Sequence, residues 1–442
     1  MSKILQWDDE DTEFFDEKST LQEANVGCAS ADDAEALHMA RSSSEFQYAI
    51  ANPPPGLAQQ IYKEVVAPAR LANSRPVLTA KQLKVTRPSI FSTSAKLANS
   101  TDYGWWTPGL YLASGTVAET GHDLCTHASD GCRLNCLLVS GQRDMFSGTA
   151  MEVNRRLKSA NRSIEDRIGG GSNLAILRTY LYQYGRKEFD AFLYDSIEKN
   201  KEIAEDKGLE LAIRLNATSD ILWERTDVMK HFSDVVFYDY TKIPHRVLAY
   251  LSSGAPEYFG RVGVAHKIPV KNNPPWPDNY YVNFSYSEIN LAWCLIILAL
   301  GGNVVVPFDG SLGREAWSFN KKKRKEILPS HFLGRPVIDG DAYDMRFIDN
   351  NYWTKDSQKP PYVVGLRIKG NFQKRNKNAF FFSAHEAQTF GDNIDFIAEA
   401  VLHNTSECVD QGKKSLLPPD AMAKQYLHKD VYQAFAIARD RE

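Results

Sequence analysis

Between Ile289 and Phe308 the chain runs for twenty residues without a charge, long enough to cross a bilayer. Gly301-Gly302-Asn303 interrupts the run. Helix formers precede the break (Leu291, Ala292, Leu295, Leu298, Ala299, Leu300), and Val304-Val305-Val306 follows it. A buried helix, a turn and a strand buried on both faces account for this pattern better than a membrane span. That combination belongs to α/β proteins, in which helices cover a parallel sheet. No membrane partner is expected.

The same rhythm recurs along the chain. Strands are expected over Gly109–Ala113, Leu209–Leu215, Val235–Tyr240, Tyr281–Ser285, 303–307 and Val337-Ile338, with one more over Tyr362–Ile368. Helical sequence dominates 147–206, interrupted at Gly169-Gly-Gly171, and returns at 288–300 and 419–442. Short apolar strands alternating with helices predict either an open doubly wound sheet or a partial or complete parallel β/α barrel of about six strands. The barrel is the preferred reading. Three regions follow: an acidic, partly disordered and mostly irregular N-terminal extension over 1–84, with one helix near 57–71; a barrel-like core over 85–395; and a C-terminal helical segment over 396–442.

Charge is segregated along the chain. The 442 residues carry a net −3, but residues 1–20 hold seven acids against two lysines, and residues 321–378 hold fourteen basic against six acidic residues. The near-neutral total argues against a generic nucleic-acid coat. The basic blocks, 321–325 and 367–377, lie close to Trp317, Phe319, Phe372 and Phe380 and offer a local surface for single-stranded nucleic acid. A solvated basic loop is the plainer reading. No basic region followed by an apolar stretch opens the chain, so the expectation is the cytoplasm, the host's if the chain is phage-encoded.

In β/α architectures, ligands bind beyond the carboxyl ends of the strands. The groups expected there are Arg214, Asn216, Thr218, Ser219 and Asp220 after the second strand, and Asp239, Tyr240, Thr241 and Lys242 after the third. Ser285, Tyr286, Ser287 and Glu288 follow the fourth. From these, Asn216, Ser219, Asp220, Asp239, Tyr240, Lys242, Ser285, Ser287 and Glu288 are the candidates for holding a cofactor, or a small-molecule or nucleotide substrate. Each cluster also has a plain reading as a helix cap. Asp339, Asp341, Asp344 and Asp349 could hold a hard cation, or form a polar hairpin in which Arg346 neutralises an acid.

Half of the six cysteines sit in one twelve-residue loop, Cys125-Thr-His-Ala-Ser-Asp-Gly-Cys132-Arg-Leu-Asn-Cys136. Three thiolates with C-x6-C-x3-C spacing suit a soft metal. They could hold an iron–sulfur cluster with one iron left open. With His122 or His127 as fourth ligand, they could hold a closed structural zinc. The loop lacks the paired C-x2-C knuckle of many zinc sites and follows the first strand, which favours iron–sulfur. Cys28, Cys294 and Cys408 read as structural, and His231, His245 and His266 as structural or surface groups. No G-x-S-x-G elbow, phosphate-cradling G-x-x-x-x-G-K-[ST] loop or H-E-x-x-H helix occurs.

Several segments together resemble a family of uncharacterised tailed-phage proteins, the gene product 88-like group. They are Cys125–Cys136, Arg214-Leu-Asn-Ala-Thr-Ser-Asp-Ile-Leu-Trp-Glu224, Val236-Phe-Tyr-Asp-Tyr-Thr-Lys242, Asn283-Phe-Ser-Tyr-Ser-Glu288, Val337-Ile-Asp-Gly-Asp-Ala-Tyr-Asp-Met-Arg-Phe347 and Val364-Gly-Leu-Arg-Ile-Lys-Gly370. The resemblance covers roughly residues 100–370 and implies a phage protein with no activity to carry over. The layout is also distantly similar to radical S-adenosylmethionine enzymes, partial β/α barrels with a three-cysteine loop after the first strand. Those have C-x3-C-x2-C spacing and Gly-Gly-Glu after the second strand, where this chain has Asn216-Ala-Thr-Ser-Asp220. The likeness implies an iron–sulfur cluster and S-adenosylmethionine as cofactors, radical chemistry on a nucleotide or nucleic acid, and strand-end groups that bind the cofactor's methionine and ribose parts. The alternative is a non-catalytic, zinc-stabilised α/β phage accessory protein that binds nucleic acid or a host protein.

Overall fold

The computed structural model describes residues 56–85, 90–92, 97, 99–115, 117–134, 136, 170–253, 276–309, 328–352, 361–367, 380–384, 387 and 393–441. These fall into two compact units, one formed from 56–126 and 133–239, the other from 127–132 and 240–441. Both are α/β with mostly parallel strands. The 321–325 block, Cys28, His266 and the helical sequence expected over 147–169 lie outside the described residues.

In the first unit, β1 (Phe91–Ser92) pairs antiparallel with β3 (Gly109–Leu110). Parallel pairing joins β2 (Trp105–Trp106) to β4 (Glu210–Ile213) and β4 to β5 (Val236–Thr241), which continues into the second unit. Pro108 and Leu110 extend the pairing past β2. The Leu110 amide donates to the Arg214 carbonyl (2.9 Å), and the Arg214 amide to the Pro108 carbonyl (3.1 Å). The strand expected over Gly109–Ala113 is therefore regular for two residues only, and its buried continuation, Tyr111 to Ser114, is irregular.

Helical turns at α1 (Leu57–Ile61), α2 (Ala67–Leu71) and α3 (Ala80–Leu83) precede these strands. They bury Leu57, Ala58, Ile61 and Leu83, so part of the expected extension contributes to this unit's core. Thr79 and Gln82 form a reciprocal cap at the start of α3. The long helices are α4 (Gly170–Tyr184) and α5 (Arg186–Asp206). Along α5, Phe189, Phe192, Leu193 and Ile197 recur at helical spacing and are buried, which gives the helix one core-facing stripe. Gly170 and Gly171 open α4, and the break falls at Gly185 instead. A Cβ there would run into the Leu78 carbonyl and stand 2.8 Å from Leu181 Cδ1.

In the second unit, β6 (Tyr280–Ser285), β7 (Val304–Asp309), β10 (Val363–Arg367) and β9 (Arg335–Asp339) lie side by side in that order, all parallel. β8 (His331–Phe332) adds an antiparallel edge to β9, and β11 (Phe382–Ser383) pairs with β7. The helices are α6 (Pro244–Ser252), α7 (Leu291–Ala299), α8 (Ile394–Asp410), α9 (Asp420–Tyr426) and α10 (Lys429–Arg439).

The uncharged run resolves into α7, a turn and β7. The Gly302 amide closes the turn on the Ile297 carbonyl (2.9 Å), and Gly301 takes φ +91°, which favours glycine. Val304, Val305 and Val306 are all buried, and each contributes roughly 1.5–3 kcal/mol on leaving water. Among the described residues no helix is long and apolar enough to cross a membrane.

Candidate functional site

The strand ends of the first unit converge on Asn216. Its backbone amide donates to Asp239 Oδ1 (2.7 Å), and its side-chain nitrogen to the Ile221 carbonyl (2.9 Å). Its side-chain oxygen accepts from Ser219 Oγ (2.9 Å), the Ile221 amide (2.9 Å) and Trp223 Nε1 (3.1 Å). Asn216, Ser219 and Asp239 are thus together, as their positions after successive strands suggested, and they hold the 216–223 turn in shape. Thr218 Oγ1 donates to the Leu112 carbonyl (2.6 Å), and the Asp220 amide to the Leu124 carbonyl (2.8 Å).

The cysteine loop is divided between the units, with 127–132 in the second and its flanks in the first. All three thiol-bearing residues are partly exposed. Cys125 Sγ faces the Thr218 carbonyl (3.7 Å), and the Cys125 amide donates to Asp123 Oδ1 (2.8 Å). Asp123 in turn pairs with Arg133 (2.6 Å). Cys136 Sγ is 3.0 Å from Ser114 Oγ. Among the described residues, no three or more His, Cys, Asp or Glu side chains form a metal-ligating group. The donor chemistry suits a soft metal, but this placement is not a ready-made ligand set.

His122 is half-buried, and burial, with Arg75 and Arg70 nearby, lowers its pKa. His127 is buried. It lies close enough to His245 to help lower that residue's pKa, although burial is the larger cause.

In the second unit, Lys242 Nζ donates to Ser285 Oγ (2.8 Å), joining the ends of β5 and β6, with the Phe380 ring 5.7 Å from the ammonium. Ser287 is fully buried, and its Oγ has no hydrogen-bond partner among the described residues. Tyr240 Oη donates to the Asp344 carbonyl (3.0 Å). Glu288, also buried, turns its carboxylate to the cysteine loop. It accepts from Ser129 Oγ (2.7 Å), the Gly131 amide (2.6 Å) and Gln411 Nε2 (3.3 Å).

The four aspartates at and after the end of β9 divide among three sets of partners, Arg367 for Asp339 and Asp341, Tyr240 for Asp344, and Arg346 with two tyrosines for Asp349. Arg367 reaches Asp339 (2.7 Å) and Asp341 (3.5 Å). Burial is the largest single influence on Asp339 and opposes its charge, but the Arg367 hydrogen bond, the Asp341 amide and the charges of Arg367 and Arg346 together outweigh it and lower the pKa. Asp349 accepts from Tyr343 (2.7 Å) and Tyr362 (2.8 Å) and faces Arg346 (3.6 Å). Arg346 does stand against an acid, as the polar-hairpin reading expects, but the pair lies within one 3-10 helix, Arg346–Tyr352, and not across a hairpin. Of the 367–377 basic block, Arg367 alone lies among the described residues, and it is engaged by these acids.

Three residues outside the expected set matter here. Asn290 precedes α7; its side-chain oxygen accepts from the Ser287 amide (2.8 Å), and its side-chain nitrogen donates to the Ser285 carbonyl (3.1 Å). Asn404 takes the Leu291 amide (2.7 Å). Gln411, seven residues beyond Asn404, takes the Asp130 amide (3.0 Å). An asparagine ahead of an apolar run is a cap signal; the other two act across more than a hundred residues and leave no local pattern.

Fold and site define a mixed α/β protein whose parallel strands end in hydrogen-bonded polar clusters and which carries a three-cysteine loop. The chain belongs to the gene product 88 family, whose model matches residues 81–382. No curated protein and no solved structure matches it.

Proposed function

We propose that the chain is a phage metalloprotein whose cysteine loop takes up a soft metal through Cys125, Cys132 and Cys136, an iron–sulfur cluster in the leading form. One observation carries this reading: three partly exposed thiols share a single loop whose middle is held by a buried carboxylate at the end of a parallel strand. Loading requires Cys125 and Cys136 to leave Thr218 and Ser114. The finer reading adds a partial β/α barrel, S-adenosylmethionine as a cofactor, and radical chemistry on a nucleotide or nucleic acid in the host cytoplasm. On that reading Lys242, which donates to Ser285, supplies a cation for an anionic ligand group.

Buried His127 within the same loop, a nitrogen donor of the kind that completes a closed zinc site, favours a second reading, a non-catalytic zinc-stabilised accessory protein that binds nucleic acid or a host protein. Anaerobic purification followed by iron, sulfide and zinc analysis and an optical spectrum separates the two. Iron and sulfide with a visible sulfur-to-iron charge-transfer band support the first reading. Stoichiometric zinc supports the second. Absence of all three sinks both.

A further inference from the structure

The short helix Asp130–Leu134 carries Cys132. Its leading amide groups have no partner within the helix, as in any helix. Here each finds a different side chain. The Asp130 amide donates to Gln411 Oε1 (3.0 Å), the Gly131 amide to Glu288 Oε1 (2.6 Å), and the Cys132 amide to Ser129 Oγ (3.1 Å). The three acceptors are themselves joined. Ser129 Oγ donates to Glu288 Oε2 (2.7 Å), and Gln411 Nε2 donates to Glu288 Oε1 (3.3 Å). Glu288 is the hub, 2% exposed. The fit is close, because a Cβ on residue 131 would stand 2.7–2.8 Å from the carboxylate atoms.

We infer that Glu288 is the positioning residue of the cysteine loop, fixing the turn that presents Cys132, and that it does not contact a ligand. The inference deepens the metalloprotein reading and rests on it for its bearing on function; the anchoring itself is independent of any metal. Glu288 acts through hydrogen-bond acceptance. In Glu288→Gln, the amide nitrogen can donate to Ser129 Oγ while the amide oxygen keeps the Gly131 and Gln411 bonds, so the connectivity survives without the charge. Glu288→Ala removes the carboxylate that accepts from the Gly131 amide and from Ser129 Oγ.

The test is the alkylation rate of each cysteine in the full-length, metal-free protein. Iodoacetamide is the probe, read by peptide mass spectrometry, with buried Cys294 and Cys408 as internal controls. Glu288→Ala and Ser129→Ala are expected to raise the Cys132 rate about tenfold, the scale of a lost helix cap. Glu288→Gln stays within about threefold of the parent. The controls stay protected throughout.

A folded Glu288→Ala with the parental Cys132 rate would overturn the inference, as would equal effects of the Ala and Gln variants. If Glu288→Ala exposes Cys294 and Cys408 as well, the fold has been lost, and Ser129→Ala and Gln411→Ala decide in its place: a raised Cys132 rate with protected controls supports the anchor, a parental rate rejects it. Metal analysis of the same proteins keeps the two claims apart. A parent that binds no metal ends the metalloprotein reading and leaves the alkylation contrast standing. A metal-binding parent with no contrast ends the positioning role alone.

Discussion

Single side chains in this molecule are committed to more partners than their types suggest. Asn216 uses its backbone amide and both side-chain termini, so the turn after β4 has one rigid geometry. A buried amide group of this kind costs about 1–3 kcal/mol for each partner left unmatched, which favours a structural role over an adaptable ligand contact. His245 offers a residue-scale measurement. Burial, then the neighbouring His127, pushes its pKa from 6.5 down to about 4, and its ring packs edge-on to Trp293 (5.7 Å). Between those two values the unfolded chain binds a proton that the folded chain refuses, so stability falls as pH falls through this window. By about pH 5 the loss is about 2 kcal/mol. Urea unfolding of the parent and of His245→Gln should diverge over this range, the variant showing the shallower decline. Parallel declines would mean that His245 is protonated normally in the fold.

At the scale of elements, the junction of α4 and α5 depends on the absence of a side chain. Leu78 donates its amide to the Tyr184 carbonyl (3.2 Å), and its own carbonyl occupies the space a Cβ on residue 185 would need. Gly185→Ala is therefore expected to destabilise the protein by about 1–3 kcal/mol, the usual cost of overpacking, as a lower denaturant midpoint with an unchanged slope.

The same scale shows what could be read from sequence. β4, β5, β6, β7 and β10 stand where the apolar runs placed them, because strands buried largely on both faces read as near-continuous apolar runs; half-exposed β9 shows only its short Val337-Ile338 centre. β1, β2, β8 and β11 are two residues long and have no room for a pattern. The polar strand ends were visible as types, and Asn216, Ser219 and Asp239 do meet. Glu288 and its partners were not legible as a set: Ser129, Glu288 and Gln411 come from three distant segments, and only folding shows that each serves one short helix.

At the scale of the molecule, charge is the remaining clue to a partner. The basic residues of 321–378 exceed the acidic ones by eight, while the net charge is −3, so any attraction to nucleic acid is local. If the 321–325 lysines and arginine meet phosphates, binding of single-stranded DNA or RNA weakens with salt, with a log–log slope of about −0.7 per phosphate neutralised. Replacing the five with alanine flattens that slope. No binding at low salt would remove nucleic acid as a partner.

The anchoring of the cysteine loop also sets an order in time. Asp130 and its acceptor Gln411 are 281 residues apart. At about 5–20 residues per second, the ribosome completes the loop on the order of 15–60 s before it supplies the glutamine that finishes the cap. Through that interval the nascent chain carries its three thiols without their final support. On the metalloprotein reading proposed above, metal is therefore best loaded after synthesis, and arrival of the end of α8 marks the completion of the loop's cap.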